Sequence, residues 1–213
     1  MKIFNESGNM KQSAYFGWQS EDLALYGLRE GYKNSADDLV EIALKDGSST
    51  TLDTYIFPIL FSYRHSLEIS LKHIYYRYLG SLPKGGHNLL ALWDKVEIEV
   101  IVGFINNASA IEKVKSYKKN FNRHSIEGIS LSNIRLLLKE FQEANQKEAE
   151  RTNPSEKQTD QNADVWRYLI STDNNLYFTH GHNIDYLALK ESISFLYETF
   201  DFIYHITDEY LSY

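Results

Sequence analysis

The stretch that decides the fold is residues 53–80, DTYIFPILFSYRHSLEISLKHIYYRYLG. In an α-helix, four of its ionisable residues would share one arc of about 100° with aromatic and apolar residues: Arg64, His65, Glu68 and Lys72, with Phe57, Phe61, Tyr75 and Leu79. A second stripe on the other side is typical of a core contact: Leu60, Leu67, Leu71, Ile74 and Tyr78. The stretch therefore predicts a buried helix that carries a polar site among rings.

The charges of this helix are spaced for ion pairs. Arg64 to Glu68 and Glu68 to Lys72 are both i,i+4 steps, so one carboxylate can bridge two cations. One interpretation is a structural network that locks the helix to its neighbours. The other is a functional site, because such a set can hold a phosphate, activate a ribose 2′-hydroxyl or place His65 for proton transfer.

Length and composition limit the class of protein. The 213 residues suffice for one core, so we expect a single domain over residues 1–213. The absence of cysteine excludes disulfides and thiolate metal sites. A formal net charge of −7 argues against a protein that coats nucleic acid over its whole surface. Without a signal peptide or an apolar run of about 20 residues, we expect a cytoplasmic protein that avoids membranes.

Helical periodicity recurs along the chain and predicts an all-α fold, an antiparallel bundle of five to six helices with little or no sheet. The predicted helices are residues 21–45, 53–80, 88–105, 131–150 and 183–211. Residues 96–102 also alternate with a period of two and are rich in β-branched side chains, so a strand stays open there. A polar stretch near residues 150–163 predicts a mobile loop.

Residue types at the helix ends predict the caps. Ser20 and Asn183 are expected to begin the first and last helices, because their side chains can accept free backbone N–H groups. Gly47 and Gly80 are expected to end the first and second helices, since glycine adopts the left-handed conformation of a C-cap without strain.

Two further patterns suggest ligands. Residues 113–124, KVKSYKKNFNRH, place Lys118 and Lys119 among rings, as in contacts with single-stranded RNA, although a solvated face has the same pattern. A metal site would use histidines and one carboxylate with commonplace spacings: His65, Glu68, His73, His87, His180 and His182. Arg64 and Lys72 beside it would repel the cation, so no metal and no cofactor is expected.

Three segments, FPILFSYRHSLEISLK, GGHNLLALWDK and ADVWRY, together resemble bacterial helical proteins of the HEPN superfamily. They contain an Arg-His-x-x-Glu pattern, then Gly-His-x-Leu-x-x-Leu-Trp, then Trp-Arg-Tyr, within residues 55–96 and 162–170. The usual ribonuclease motif of that family is Arg, four to six residues, then His. None of the seven histidines of this chain has an arginine at that spacing.

The resemblance implies a homodimeric helical protein of a phage-defence or toxin–antitoxin system that binds or cleaves RNA or a nucleotide, without a metal, and has a partner protein. A column of Ser62, Ser66 and Ser70 also suggests a close helix contact in a dimer. From the chemistry of their side chains, the candidate catalytic residues are Arg64, His65, Glu68 and Lys72. The candidate ligand-binding residues are His87, Trp93, Arg167, Tyr168, Lys118 and Lys119. The alternatives are a non-catalytic protein-interaction module (antitoxin-like or a scaffold) and a metal-dependent hydrolase.

Overall fold

The structure, a computed structural model, describes residues 9–105, 131–144, 160 and 162–212. The basic run at 113–124 and most of the polar stretch near 150–163 lie outside these residues. The described parts of the chain contain no β-strand, and one isolated antiparallel bridge joins Ile170 to Leu176. The all-α prediction is therefore confirmed. None of the described helices is both long and apolar enough to cross a membrane.

Six helices, here named α1 to α6, form the described structure after a short 3₁₀ turn at Met10–Gln12. Helix α3 consists of three consecutive pieces, and α5 is a single turn. Their bounds are Glu21–Asp46 for α1, Ser49–Leu79 for α2, Leu89–Lys95, Val96–Ile101 and Val102–Ile105 for α3, Leu131–Gln142 for α4, Val165–Tyr168 for α5 and Tyr186–Leu211 for α6.

The core surrounds α2, which packs along α1 and also contacts α3, α5 and α6. The apolar stripe predicted for α2 is confirmed, because Leu67, Leu71 and Ile74 are fully buried and Leu60 nearly so. Burial of a large aliphatic side chain stabilises the fold by roughly 1.5–3 kcal/mol. Helix α2 thus lies at the centre of the core, and its polar arc faces α3 and α5.

The helix ends agree with the predicted caps except at α6. Gly47 (φ 66°) and Gly80 (φ 70°) end α1 and α2 in the left-handed conformation. Asn183 was expected to begin the last helix, and this is wrong. Asp185 caps it instead, and its side chain accepts from the backbone N–H groups of residues 187 and 188 at 2.8 and 3.0 Å. A carboxylate beside the first turn also complements the helix dipole.

The segment at 96–102, for which a strand stayed open, is helical. Residues Val96–Ile101 form a π-helix within α3. The wider π turn brings Val96, Val100 and Ile101 to one side, and all three side chains are buried. The alternation that suggested a strand depended on Ile98 and Val102, and both side chains are exposed.

The serine column of α2 lies inside the molecule. Ser66 and Ser70 are fully buried, and Ser62 is nearly so. The Ser66 hydroxyl donates to Tyr63 O at 3.0 Å, and the Ser70 hydroxyl donates to Ser66 O at 2.8 Å. Contacts within the chain therefore account for the serine column. The homodimer stays a prediction, and the serine column no longer supports it.

Candidate functional site

Glu68 lies at the middle of a buried polar centre on α2. Its Oε2 accepts from Arg64 Nη1 at 3.1 Å, and its Oε1 accepts from Lys72 Nζ at 2.6 Å. His87 Nδ1 lies 2.8 Å from the same Oε1. The i,i+4 prediction that one carboxylate bridges two cations is confirmed, and a histidine from the α2–α3 loop is added to it.

Arg64 connects this helix to two other segments. Its side chain is 1% exposed, and Nη2 donates to His87 O at 2.7 Å. Its Nε lies 3.1 Å from Asp160 Oδ2 in a charge pair whose angles are not those of a hydrogen bond. A guanidinium enclosed in this way stays in place only while carboxylates and carbonyls surround it.

Asp160 and Gln142 complete the centre. Asp160 Oδ1 accepts from the backbone N–H groups of Asp164 at 2.7 Å and Val165 at 3.3 Å. Gln142 Nε2 donates to Asp160 O at 2.6 Å, and Gln142 Oε1 accepts from Leu89 N at 2.8 Å. The centre therefore ties together α2, the first turn of α3, the end of α4 and the start of α5.

Electrostatics keep Glu68 ionised inside the protein. Burial alone raises the pKa of this carboxyl, but the hydrogen bonds and charges of Lys72 and His87 more than offset burial and lower the pKa below its usual value. Glu68 therefore serves as an anchor for cations. Since its side chain is 1% exposed, a ligand outside the protein cannot reach it in this structure.

His65 lies beside the centre, half-buried among rings. It stacks on Phe61 with centroids 5.8 Å apart and meets the edge of Tyr32 at 4.5 Å. Burial lowers its pKa below the ordinary value, opposed by Glu68 and assisted by the positive charges of Lys72, Arg167 and Arg64. Its imidazole is therefore neutral at pH 7 and can accept a proton.

Arg167 and Tyr168 approach the same region from α5, and both are exposed. The Arg167 guanidinium lies over the Phe61 ring at 5.6 Å and over the Tyr168 ring at 5.7 Å. We use the name outer face for the accessible or half-buried groups around the centre: His65, Lys72, His87, Arg167 and Tyr168. The outer face unites five of the ten residues that the sequence singled out.

The other sequence candidates lie elsewhere. Trp93 is fully buried in the core, where it stacks on Phe200 at 5.8 Å, so it does not contact a ligand at the outer face. Lys118 and Lys119 lie outside the described residues. Asp160 and Gln142 were not singled out from the sequence, since a polar side chain in a polar stretch gives no sign that it is buried.

Metal ligation has no geometric support in the part of the chain that the structure describes. No group of three or more histidine, aspartate or glutamate side chains there could hold an ion. His65 contacts rings, whereas the carboxylate oxygens of Glu68 are already bonded to Arg64, Lys72 and His87. Of the other histidines, His182 lies edge-on to Phe178.

A second polar cluster, which the sequence did not reveal, joins α1 to α2 and α6. Arg29 is 1% exposed, pairs with Asp201 at 2.5 Å and lies 5.0–5.8 Å from the ring centroids of Tyr26, Tyr197 and Tyr204. Buried His73 lies 3.1 Å from Asp22. Carboxylate and aromatic partners enclose both groups, so this cluster is a structural tie between helices.

Comparison of the chain with protein-family models, with curated proteins and with solved structures found no match. The fold and the site therefore define the class of protein directly. It is an all-α protein in which a buried Arg–Glu–Asp centre supports an exposed face of cations and aromatic rings.

Proposed function

We propose that this protein is a HEPN-like component of a bacterial phage-defence or toxin–antitoxin system that binds the phosphates of single-stranded RNA or of a nucleotide at the outer face. One observation carries the proposal: exposed Arg167 lies over the Phe61 ring, against which His65 also stacks. Proteins that bind single strands combine cations for phosphates with rings for bases. The outer face offers both within one small area.

The buried and exposed charges have different tasks in this proposal. Arg64 and Glu68 stay inside and fix the helices. Lys72 and His87 keep part of their side chains exposed, 19% and 44%, while they are bonded to Glu68. Arg167 has no carboxylate partner among the described ion pairs, so its charge is available to a phosphate. In this proposal the ligand therefore contacts Lys72, His87 and Arg167, which the centre holds in place.

If binding leads to cleavage, His65 is the general base. Its neutral imidazole would take the proton of a ribose 2′-hydroxyl while the 2′-oxygen attacks the adjacent phosphorus. The bond from phosphorus to the 5′-oxygen breaks, that oxygen leaves with a proton from water, and a 2′,3′-cyclic phosphate forms. Lys72 and Arg167 would stabilise the negative charge that builds up on the phosphate oxygens. The step requires no metal.

The test of binding is fluorescence anisotropy with a fluorescein-labelled single-stranded RNA of mixed sequence, measured over a series of salt concentrations. We expect Arg167→Ala to weaken binding about tenfold and to lower the salt slope by about 0.7, as for loss of one phosphate contact on a single strand. Arg135→Ala is the matched control, because Arg135 is an exposed cation on α4 paired with Asp94. Wild-type protein that fails to bind at low salt contradicts the proposal.

Cleavage is tested separately by expression of wild type and His65→Ala in a bacterial host. Total RNA that is degraded with wild type and intact with a normally folded His65→Ala protein supports a metal-independent ribonuclease. RNA that stays intact with both proteins, in the absence of any neighbouring inhibitor gene, contradicts cleavage and leaves binding to be decided by anisotropy.

A second candidate function, a protein-interaction module, is favoured by an exposed aromatic segment before α1. Tyr15, Phe16 and Trp18 are 83%, 74% and 59% exposed, and exposed apolar clusters of this kind mark contact sites between proteins. Co-expression with the product of an adjacent gene tests it. A complex that forms with wild type and is lost with Trp18→Ser would support an antitoxin-like or scaffold role.

A further inference from the structure

We propose that Asp160 is a positioning residue for the outer face, through which the buried centre holds the turn that carries Arg167 and Tyr168. This inference rests on the proposed function, because it assigns the way in which the ligand-binding groups of α5 are held. Asp160 is 4% exposed, and it touches no atom that a ligand on the outer face would contact.

The two carboxylate oxygens of Asp160 have different partners. Oδ2 lies 3.1 Å from Arg64 Nε, which is an electrostatic contact with the centre. Oδ1 accepts from the backbone N–H groups of Asp164 and Val165, at the point where α5 begins. One side chain thus joins a buried guanidinium on α2 to the first backbone groups of α5.

Helix α5 depends on such support because it is a single turn of four residues. An isolated turn is unfavourable in water, since fixing its backbone costs more than its few hydrogen bonds return. The Asp164 side chain makes no capping hydrogen bond, and α5 ends at Leu169 in the left-handed conformation (φ 57°). The cap from Asp160 and the buried side chain of Val165 therefore fix the turn.

The same turn sets the geometry of the outer face. Arg167 lies two residues after Val165, which the Asp160 cap holds. Its guanidinium packs on the ring of Phe61, a residue of α2 three positions before Arg64. Helices α2 and α5 are therefore joined by two contacts, one through Arg64 and Asp160 and one through Phe61 and Arg167. Loss of the Arg64–Asp160 contact should leave Arg167 less well placed for a phosphate.

The variant Asp160→Asn removes the charge of Asp160 and keeps its ability to cap α5. Asparagine keeps an oxygen that can accept from the N–H groups of Asp164 and Val165, but it removes the negative charge that faces Arg64. Asp173→Asn is the matched control, because it makes the same change in charge at an exposed residue of the neighbouring turn. A difference between the two variants reports the buried contact rather than net charge.

The first measurement needs no ligand. Trp166 lies in α5, whereas Trp93 is fully buried and Trp18 is exposed. In a Trp18→Phe background, acrylamide quenching therefore reports mainly on Trp166. We expect Asp160→Asn to raise the quenching constant about twofold as α5 opens locally, with Asp173→Asn unchanged. Quenching that is unchanged in Asp160→Asn overturns the proposal.

The second measurement is a double-mutant cycle on the affinity for the labelled RNA. We expect Asp160→Asn to weaken binding about fivefold in wild type and to have no further effect in Arg167→Ala/Tyr168→Ala, because Asp160 acts through these two residues of α5. A general loss of structure would weaken both backgrounds equally. Equal effects in the two backgrounds therefore contradict a positioning role.

The two measurements separate the two proposals. If wild type binds no RNA, the proposed function fails, and quenching still decides whether Asp160 holds α5. If Asp160→Asn does not fold, as judged by circular dichroism, the variant Arg64→Met/Asp160→Asn replaces it. That variant removes both charges of the Arg64–Asp160 contact, while Glu68 keeps Lys72 and His87 as partners. The same quenching and affinity changes are expected of it.

Discussion

At the scale of single residues, Arg64 differs from every surface cation because its partners are as buried as it is. Removal of one partner from a buried ion pair leaves an uncompensated charge and typically costs about 3–5 kcal/mol. We expect Arg64→Met to lower the free energy of unfolding by about this amount in urea titrations, since Glu68 and Asp160 would lose their shared cation.

Lys139→Met is the control for this prediction. Lys139 also forms an i,i+4 pair, with Glu143 at 3.6 Å, but its side chain is 53% exposed. The change should cost at most about 1 kcal/mol, because exposed pairs contribute little. Similar losses for Arg64→Met and Lys139→Met would show that the buried centre does not stabilise the fold in the way we describe.

His73 predicts a dependence of stability on pH. Burial, with a smaller contribution from the positive charge of Arg29, lowers its pKa to about 4, while Asp22 and Asp201 oppose the shift. Between pH 6.5 and 4 the unfolded chain therefore binds a proton that the folded protein excludes. The free energy of unfolding should fall as the pH drops through this window, by up to about 3 kcal/mol.

The variant His73→Gln tests the direction of this pH dependence, because glutamine keeps an N–H donor near Asp22 and does not titrate. Its urea unfolding free energy should fall less between pH 6.5 and 4 than that of wild type. His205 gives the opposite sign, since its hydrogen bond to Asp201 raises its pKa. His205→Gln should therefore lose a contribution to the free energy of unfolding that wild type has at low pH. Parallel pH profiles for wild type and His73→Gln would contradict the assignment.

Sequence reasoning found those parts of the site that lie within one helix. Arg64, Glu68 and Lys72 are connected by i,i+4 spacing, so the periodicity of α2 sufficed to predict their contacts. Asp160 lies 96 residues from Arg64 in the chain, and no period joins the two. Tyr32 beside His65 comes from α1. Contacts of this kind depend on helix packing, which the pattern of a single helix does not contain.

At the scale of elements, glycines provide a matched test of helix ends and interiors. Gly80 ends α2 at φ 70°, where an alanine is strained, so Gly80→Ala should cost about 1 kcal/mol. Gly31 lies exposed inside α1 with open space around its Cα, so Gly31→Ala should stabilise by about 0.5–1 kcal/mol. Thermal unfolding should show shifts of opposite sign. A shift of the same sign for both would contradict these helix assignments.

Element ends were predictable where one residue type decides them, as at Ser20, Gly47 and Gly80. They were not predictable where neighbouring residues compete. Asn183 and Asp185 can both cap a helix, and which of them does so depends on where Tyr186 can reach the core. The π-helix in α3 was equally hidden, because its apolar spacing fits a strand as well as a helix.

At the scale of the whole molecule, contacts within one chain use surface that the sequence had suggested for a dimer. The serine column of α2, which the sequence suggested as a dimer contact, is buried within the chain. The aromatic segment before α1 is different, because Tyr15 and Trp18 stack on each other at 6.4 Å and stay exposed. Exposed rings in a cluster are unusual for a monomer. The exposed rings of this segment are therefore the main physical reason to expect self-association.

The homodimer prediction is therefore specific to that segment. We expect light scattering to give about twice the chain mass of 24.8 kDa at tens of micromolar protein. The double variant Phe16→Ser/Trp18→Ser should shift the mass toward that of a single chain, because it removes the exposed rings that a second copy would cover. Leu82→Ser, which removes an exposed apolar side chain from the α2–α3 loop, should leave the mass unchanged. A wild-type mass near 25 kDa would show that the exposed rings serve another partner or none.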